Sequence, residues 1–488
     1  MSRPLVNRTG CFVGGMRAIV LAEGVTATAR GSVKGAGPMG FKISKAKIGI
    51  TPSSGMNPYM GGYGSQTVPR EVTSDEPESG PLYARCVVIW DDDHPFAITS
   101  LDILGITRTV HLALRARLIA LAEWQSSDIV LVASHTHNGP AVGRTLDPVI
   151  TYGMGPAELA KVDVYTEWLQ DRIVEVVTNA LHSPRSKVTL EYTVASAGFA
   201  FNRAGLGEAE SEVPVLTARR RNGKLRAVLF SYGCHPVSAG VQELWDGDWP
   251  AKACEVIEEQ TDAFALFIPG PAGDQDPAGV RGWALRDEHG QSIGEAVVEA
   301  ADSGRTLTGP INSDLREVTL PLDVDESPAN LAEVRARYQM RMLNRIGLPA
   351  WYPRHGAAMI ALIDNGTFAT TVPNPSQVWR IGGDPGLRLA FLGGELVSGY
   401  GVYFRQRYGG AEELMIGGYA NETNCYIPAN NFLLPLAPAW GSYEGGWDPD
   451  APGIAGGSMT IYSQIAHFLA GDVGVEAAVI DALTDQLS

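Results

Sequence analysis

The chain has 488 residues, a formal net charge of −16, and 45% hydrophobic against 19% charged residues. That length exceeds what a single hydrophobic core organises, so two or more layers or subdomains are expected in an ordinary globular protein. The acidic balance excludes nucleic acid as a partner and a polybasic membrane-surface role, because both select clustered Lys and Arg.

The segment from Met1 to Ala36 is basic, rich in Gly and Thr, and without a carboxylate until Glu23. Its best apolar run, Ala18 to Ala22, is shorter than the ~7–15 residues of a secretory signal core. Residues 1–43 are therefore expected to form an arm, disordered or docking, with a degenerate export signal as the alternative. No stretch reaches the ~18 apolar residues of a membrane-spanning helix. Five cysteines (Cys11, Cys86, Cys234, Cys254, Cys425), odd in number and without CxxC, point to reduced thiols and a cytoplasmic location.

Regular structure is expected from about Lys42. Val87–Trp90 and Phe96–Thr99 have strand composition on either side of a polar turn. Thr107–Trp124 carries apolar residues at helical spacing, and Asp128–Ala133 is a short buried strand ending abruptly in Ser134-His-Thr-His-Asn-Gly-Pro140. A helix is predicted over Ala157–His182, then one or two strands over Val188–Ala200. A hairpin over Val213–Gly233, turning at Asn222-Gly223, runs into Cys234-His235-Pro236. Asp248 is placed as a helix cap with Pro250 in the first turn. Ala263–Ile268 is a strand leading to Gly273-Asp-Gln-Asp-Pro277. Ser327 caps a helix to Asn344, and Met359–Thr371 has the pattern of a hairpin turning at Asn365-Gly366. Leu387–Leu392 is a strand ending in Gly393-Gly-Glu395, followed by a helix to Arg407; Glu413–Ile416 is a strand before the Gly417–Tyr426 loop. Strands and helices mixed without a strict βαβ rhythm predict a layered α/β fold with mixed sheets. Residues 44–457 are expected to be one catalytic domain, with 458–488 a helical tail packed on it.

Gly35-Ala-Gly-Pro-Met-Gly40 matches a dinucleotide-binding fingerprint by letter only: no strand precedes it and Pro38 interrupts it. The chemistry lies elsewhere. Four apolar strands run into loops bearing His, His, Asp and Glu, the position where α/β enzymes place their sites. In extended backbone the imidazoles of His135 and His137 share a face and can reach one cavity. Imidazole is the commonest metal ligand, although a loop HxH also occurs with purely structural hydrogen bonds. His235 holds the same position at another strand end. Glu395 is the best-placed anionic ligand, or else an acid at a helix N-terminus.

Ser134–Pro140 resembles the HTHSGPGG signature of the neutral/alkaline ceramidases. Gly233-Cys-His-Pro236 is similar to their second histidine motif, Gly273–Pro277 to their GDVSP loop, and Gly394-Glu395 to their PGE segment. Asn421–Tyr426 and Tyr443-Glu-Gly-Gly446 resemble a tyrosine-bearing loop and a YEG/YEA motif. Lys47–Thr51 with Met60–Tyr63 looks like the family's opening, and Ser100-Leu-Asp102 also matches. The motifs fall in family order over residues 44–447.

The resemblance implies a zinc ion held by His135, His235, Glu395 and Tyr426. It implies that His137 and Tyr443 contact the substrate carbonyl or its tetrahedral oxyanion, and that Arg203 binds polar substrate groups; read alone, Arg203 is a surface ion-pair residue. Two departures stand out. The GDVSP serine is Asp276 here, which cannot be a hydroxyl nucleophile but beside a metal-bound water is expected to act as general base. The chain also lacks room for the family's C-terminal β-sandwich. The function expected is zinc-dependent hydrolysis of a linear amide in a small-molecule or lipid N-acyl substrate, by attack of metal-bound water. An esterase or lactonase on the same site, or a binding protein that kept the fold, are the alternatives; homo-oligomer formation is left open.

Overall fold

The computed structural model describes residues 40–488 apart from 54, 65–67, 74–78, 344–348, 384–385, 434–441, 449–450, 452 and 459–461. The expected arm up to residue 39, with Cys11 and most of the Gly35–Gly40 motif, lies outside the described residues. Strand β1 (Phe41–Gly49) opens the fold and pairs along its whole length with β2 (Tyr83–Asp91), which pairs with β3 (His94–Leu101). Helix α1 (Arg108–Ile119), capped by the Thr107 hydroxyl, crosses to β4 (Ile129–Ala133), parallel to β3. After a short α2 (Pro148–Thr151), α3 (Pro156–His182) leads to β5 (Ser186–Ser196), β6 (Ala200–Asn202) and the hairpin β7 (Glu212–Arg219) and β8 (Leu225–Tyr232). Helix α4 (Asp248–Thr261) then crosses to β9 (Phe264–Pro269), parallel to β8. The first sheet thus runs β4-β3-β2-β1-β5-β7-β8-β9, with a histidine-bearing loop after β4 and another after β8.

The chain continues through β10 (Gln275–Pro277), α5 (Trp283–Ala300), β11 (Arg305–Leu307), β12 (Ile311–Pro321), α6 (Pro328–Arg341) and α7 (Trp351–Asn365). It closes with β13 (Thr371–Ile381), β14 (Leu387–Leu392), β15 (Glu395–Leu396), α8 (Ser398–Arg407), β16 (Leu414–Gly417), β17 (Tyr426–Ile427) and α9 (Val475–Leu487). A second sheet has the order β12-β13-β14-β16, and β15 pairs with β17. Strand β11 adds to β5.

Burial on both faces explains the near-continuous apolar strands. In β4, Val130 and Val132 enter a central core, while Ile129, Leu131 and Ala133 face α1 and α3. That central core also takes Leu229, Leu266 and Ile268 from β8 and β9, and Trp379, Leu389 and Phe391 from the second sheet. Bonds from Ser100 Oγ to Phe267 O (2.8 Å) and from Arg85 Nη1 to Ala265 O (3.3 Å) tie β3 and β2 to β9. Helices α4 and α5 cover the other face of β7–β9 through Ala253, Ile257, Ile293 and Val297. The described cysteines, Cys86, Cys234, Cys254 and Cys425, are buried and unpaired. No described helix is long and apolar enough to cross a membrane.

Two local expectations are corrected. Residues 359–365 do not enter a hairpin at Asn365-Gly366; they end α7, and Gly366 at φ +63° is its left-handed C-cap. Asn-Gly supplies the same left-handed geometry to both structures, so the dipeptide alone does not separate them. Asp248 is not the cap residue of α4, which is Gly247. Its buried carboxylate instead accepts bonds from the Ser238 and Ala239 amides at 2.9 and 3.0 Å, fixing the loop that follows His235.

Candidate metal centre and pocket

His135 leaves β4 in a left-handed conformation, φ +68°, which costs a non-glycine residue of order 1–3 kcal/mol. Its amide donates to Ile103 O at 3.0 Å, and its Nδ1 lies 2.6 Å from Leu104 O. His235 Nδ1 lies 2.7 Å from Ala272 O and 3.0 Å from Gln275 O. A carbonyl oxygen only accepts, so both rings carry a proton on Nδ1 and present Nε2 to the centre. Each Nε2 stands 3.2 Å from Glu395 Oε2. His137 Nε2 lies 3.2 Å from His135 Nε2, and its Nδ1 has no protein partner among the described residues.

Glu395 and Tyr426 are brought together by backbone register: they are direct partners in the parallel β15–β17 ladder. Gly394 makes this approach feasible, since at φ +77° a Cβ would stand 2.8 Å from Cys425 O. The Tyr426 hydroxyl lies 3.4 Å from His235 Nε2. Burial pushes Glu395 up, but His135 and His235 more than offset this and hold its carboxyl well below the usual range. Burial, with His135 and His235, holds His137 well below the ordinary imidazole value, so it is neutral near pH 7.

The donor chemistry fits a cation. Two imidazole Nε2 atoms and a carboxylate oxygen, each able to ligate a metal, converge, with the Nδ1 of both rings held from behind by backbone carbonyls. The ligand atoms of His135, His137 and His235 fall within 4.8 Å of one another, an arrangement compatible with a metal site.

A residue that sequence reasoning missed completes the centre. The partly buried Tyr462 donates its hydroxyl to Glu395 Oε1 at 2.6 Å, and desolvation with the Glu395 charge pushes its phenol well above the ordinary value. It therefore stays a donor and orients the carboxylate whose other oxygen faces the histidines. Tyr462→Phe is expected to weaken metal affinity roughly 10–100-fold, read by chelator competition, with the thermal melt of the metal-free protein little changed. An unaltered affinity would show that Tyr462 only fills space.

The centre opens into a pocket of about 530 Å³. Arg203, Asp276, Arg281 and Tyr443 lie on its wall, as do Leu146, Thr151 and Trp351. Arg203 Nη1 donates to Asp276 Oδ1 (3.1 Å), Nε to Glu444 (2.9 Å), and Nη2 to Gly273 O (2.8 Å) and the Tyr426 hydroxyl (3.1 Å). Arg281 holds the other Asp276 oxygen. Burial raises Asp276, but Arg203, His235 and Arg281 outweigh it and leave its carboxyl below the usual range. Tyr443, 47% exposed, stands at the mouth with its ring 5.6 Å from that of Tyr426. Asp274 serves structure: it accepts from the Ser398 amide and hydroxyl at 2.7 and 2.9 Å.

No family model matches the sequence, and no curated protein matches it. Among solved structures, it is similar to neutral ceramidase from Pseudomonas aeruginosa, with a TM-score of 0.60 at 18% identity, covering 88% of this chain and 73% of that one. It is similar also to a ceramidase complexed with C2, with a TM-score of 0.61 at 18% identity, covering 92% and 76% respectively. The chain therefore has the layered mixed α/β fold of the neutral ceramidases.

Proposed function

We propose that the protein is a zinc-dependent hydrolase that cleaves the amide bond of an N-acyl compound. The observation that carries this is the convergence of His135 Nε2 and His235 Nε2 on Glu395, beside Tyr426 and open to a pocket. The ceramidase fold of its solved neighbours supports amide cleavage. These four residues would hold the ion. Bound there, zinc would polarise a substrate carbonyl and bring the pKa of a bound water to ~7.

The chain's own groups supply the rest. Neutral His137 can donate its one ring N–H to a carbonyl oxygen at the centre, and the Tyr443 hydroxyl can reach one from the mouth. Arg203 donates to the Tyr426 hydroxyl and so fixes that ligand. A general base must be free to take a proton. Asp276 has each oxygen on an arginine and its basicity lowered, so we assign it chiefly to holding Arg203 and Arg281 in place.

Zinc-loaded protein should hydrolyse chromogenic N-acyl amides, lose the activity to a chelator and regain it with zinc. Activity indifferent to chelation would overturn the zinc reading; turnover confined to esters would overturn the amide reading. Asp276→Asn should lower kcat by no more than about tenfold, whereas loss of a general base costs roughly 10²–10⁴-fold. A fall in the larger range, with zinc retained, would return Asp276 to the base role.

A further inference from the structure

The pocket wall is divided in kind. Leu146, Thr151 and Trp351 come from the α2 and α7 side, where Arg354 Nε donates to Ile150 O at 2.7 Å and joins the two helices. The same wall carries Arg203, Asp276 and Arg281, linked by ion pairs. An amide at the centre can set one substituent against Leu146, Thr151 and Trp351 and the other against the arginines. A pocket of about 530 Å³ suits a drug-sized ligand.

The two arginines are not equivalent. Arg203 spends its donors on Glu444, Asp276, Gly273 and Tyr426. Arg281 bonds Asp276 through Nη2 alone among the described residues, and its side chain stays 38% exposed. It is nonetheless held in place. A Cβ on Gly240 would stand 3.1 Å from its own Cβ, the next amide, Gly282, donates to Ser238 O at 2.8 Å, and Asp276 fixes the guanidinium. A pre-set planar fork with unused N–H groups is suited to bidentate recognition of a carboxylate.

Resting on the amide-hydrolase reading, we propose that the substrates are N-acyl amino acids: Arg281 binds the carboxylate on the amine side, and Leu146, Thr151 and Trp351 receive a short acyl group. Hydrolysis breaks the C–N bond. Water supplies a hydroxyl to the acyl carbon and a proton to the departing nitrogen, giving a free carboxylate and an amino acid.

The test compares N-butyrylglycine with N-butyrylglycinamide, which differ only in the charged group, on the zinc-loaded full chain. The carboxylate should be preferred at least tenfold in kcat/KM, and Arg281→Gln should bring that ratio close to one. Calorimetry with the non-hydrolysable butanesulfonylglycine should show binding weakened about tenfold or more by the same substitution. Equal turnover of the two amides would overturn the proposal while leaving the amide-hydrolase reading intact. A preference that survives in the variant would overturn the role of Arg281. Zinc binding without turnover of any amide would instead sink the underlying reading; calorimetry would then decide carboxylate recognition separately, and no binding there would overturn it.

Discussion

His235→Ala is expected to strip the protein of its metal and its activity together. Structural zinc sites with four ligands bind with apparent energies of ≈ 10–16 kcal/mol, so one ligand carries about 3 kcal/mol, roughly 10²-fold in affinity. Here the loss should be at least that large, because His235 is pre-oriented twice over. Its Nδ1 proton is held between the Ala272 and Gln275 carbonyls, and its own carbonyl accepts from Trp249 Nε1 at 3.1 Å. Its removal also leaves Glu395 with one imidazole rather than two. Zinc content after dialysis should fall from about one per chain to a small fraction, and hydrolytic activity by at least 10²-fold. The surrounding loop should persist, because Asp248 and the His235 backbone amide, which donates to Gln275 O at 2.9 Å, do not depend on the ring. A variant that is folded, metal-free and fully active would overturn the metal-centre reading. One that keeps full zinc would remove His235 from the ligand set.

Much of this centre was legible because the fold writes it as a contrast. Ile129–Ala133, Leu225–Tyr232, Phe264–Pro269 and Leu387–Leu392 are mostly apolar and buried, and each stops at a polar loop rich in Gly or Pro. Spacing alone put His135 and His137 on one cavity and left Glu395 between two readings. The resemblance added Tyr426, whose partnership with Glu395 depends on a ladder between strands 31 residues apart, two residues each in length. Tyr462 left no signal at all, as a lone tyrosine in a segment without a motif. The second sheet was partly hidden too. Strand β13 contains Pro373 and Pro375, which argue against a strand, yet its pairing with β14 begins only at Ser376, so neither proline removes a bond from that ladder. Helix α5 was missed because Gly290 and Gly294 weaken its helical pattern. They are there for contact: a Cβ on Gly290 would stand 2.4 Å from Lys252 Cβ on α4, and one on Gly294 2.8 Å from Val256 Cβ.

Arg203→Ala is expected to act on stability, metal and substrate at once, because one guanidinium ties four segments. It reaches the β10 strand through Asp276, the preceding loop through Gly273, the β17 strand through Tyr426, and the mouth of the pocket through Glu444. The Asp276 and Glu444 side chains are only 11% and 3% exposed. Removing the cation leaves Glu444 without its ion-pair partner in a buried position, and breaking such a pair costs about 3–5 kcal/mol. Urea unfolding should register that loss. Zinc affinity should fall roughly tenfold, since the Tyr426 hydroxyl loses the donor that orients it. If Arg203 also binds a polar substrate group in ground and transition states alike, KM rises as well. Arg203→Lys should recover little, because one ammonium cannot span Glu444, Asp276 and Tyr426 as the planar fork does. Combining Arg203→Ala with Glu444→Gln separates the effects: neutralising the stranded carboxylate should return much of the stability and none of the zinc affinity. If Arg203→Ala instead leaves unfolding, zinc affinity and kcat/KM as they were, Arg203 is the surface ion-pair residue that its sequence context alone suggests.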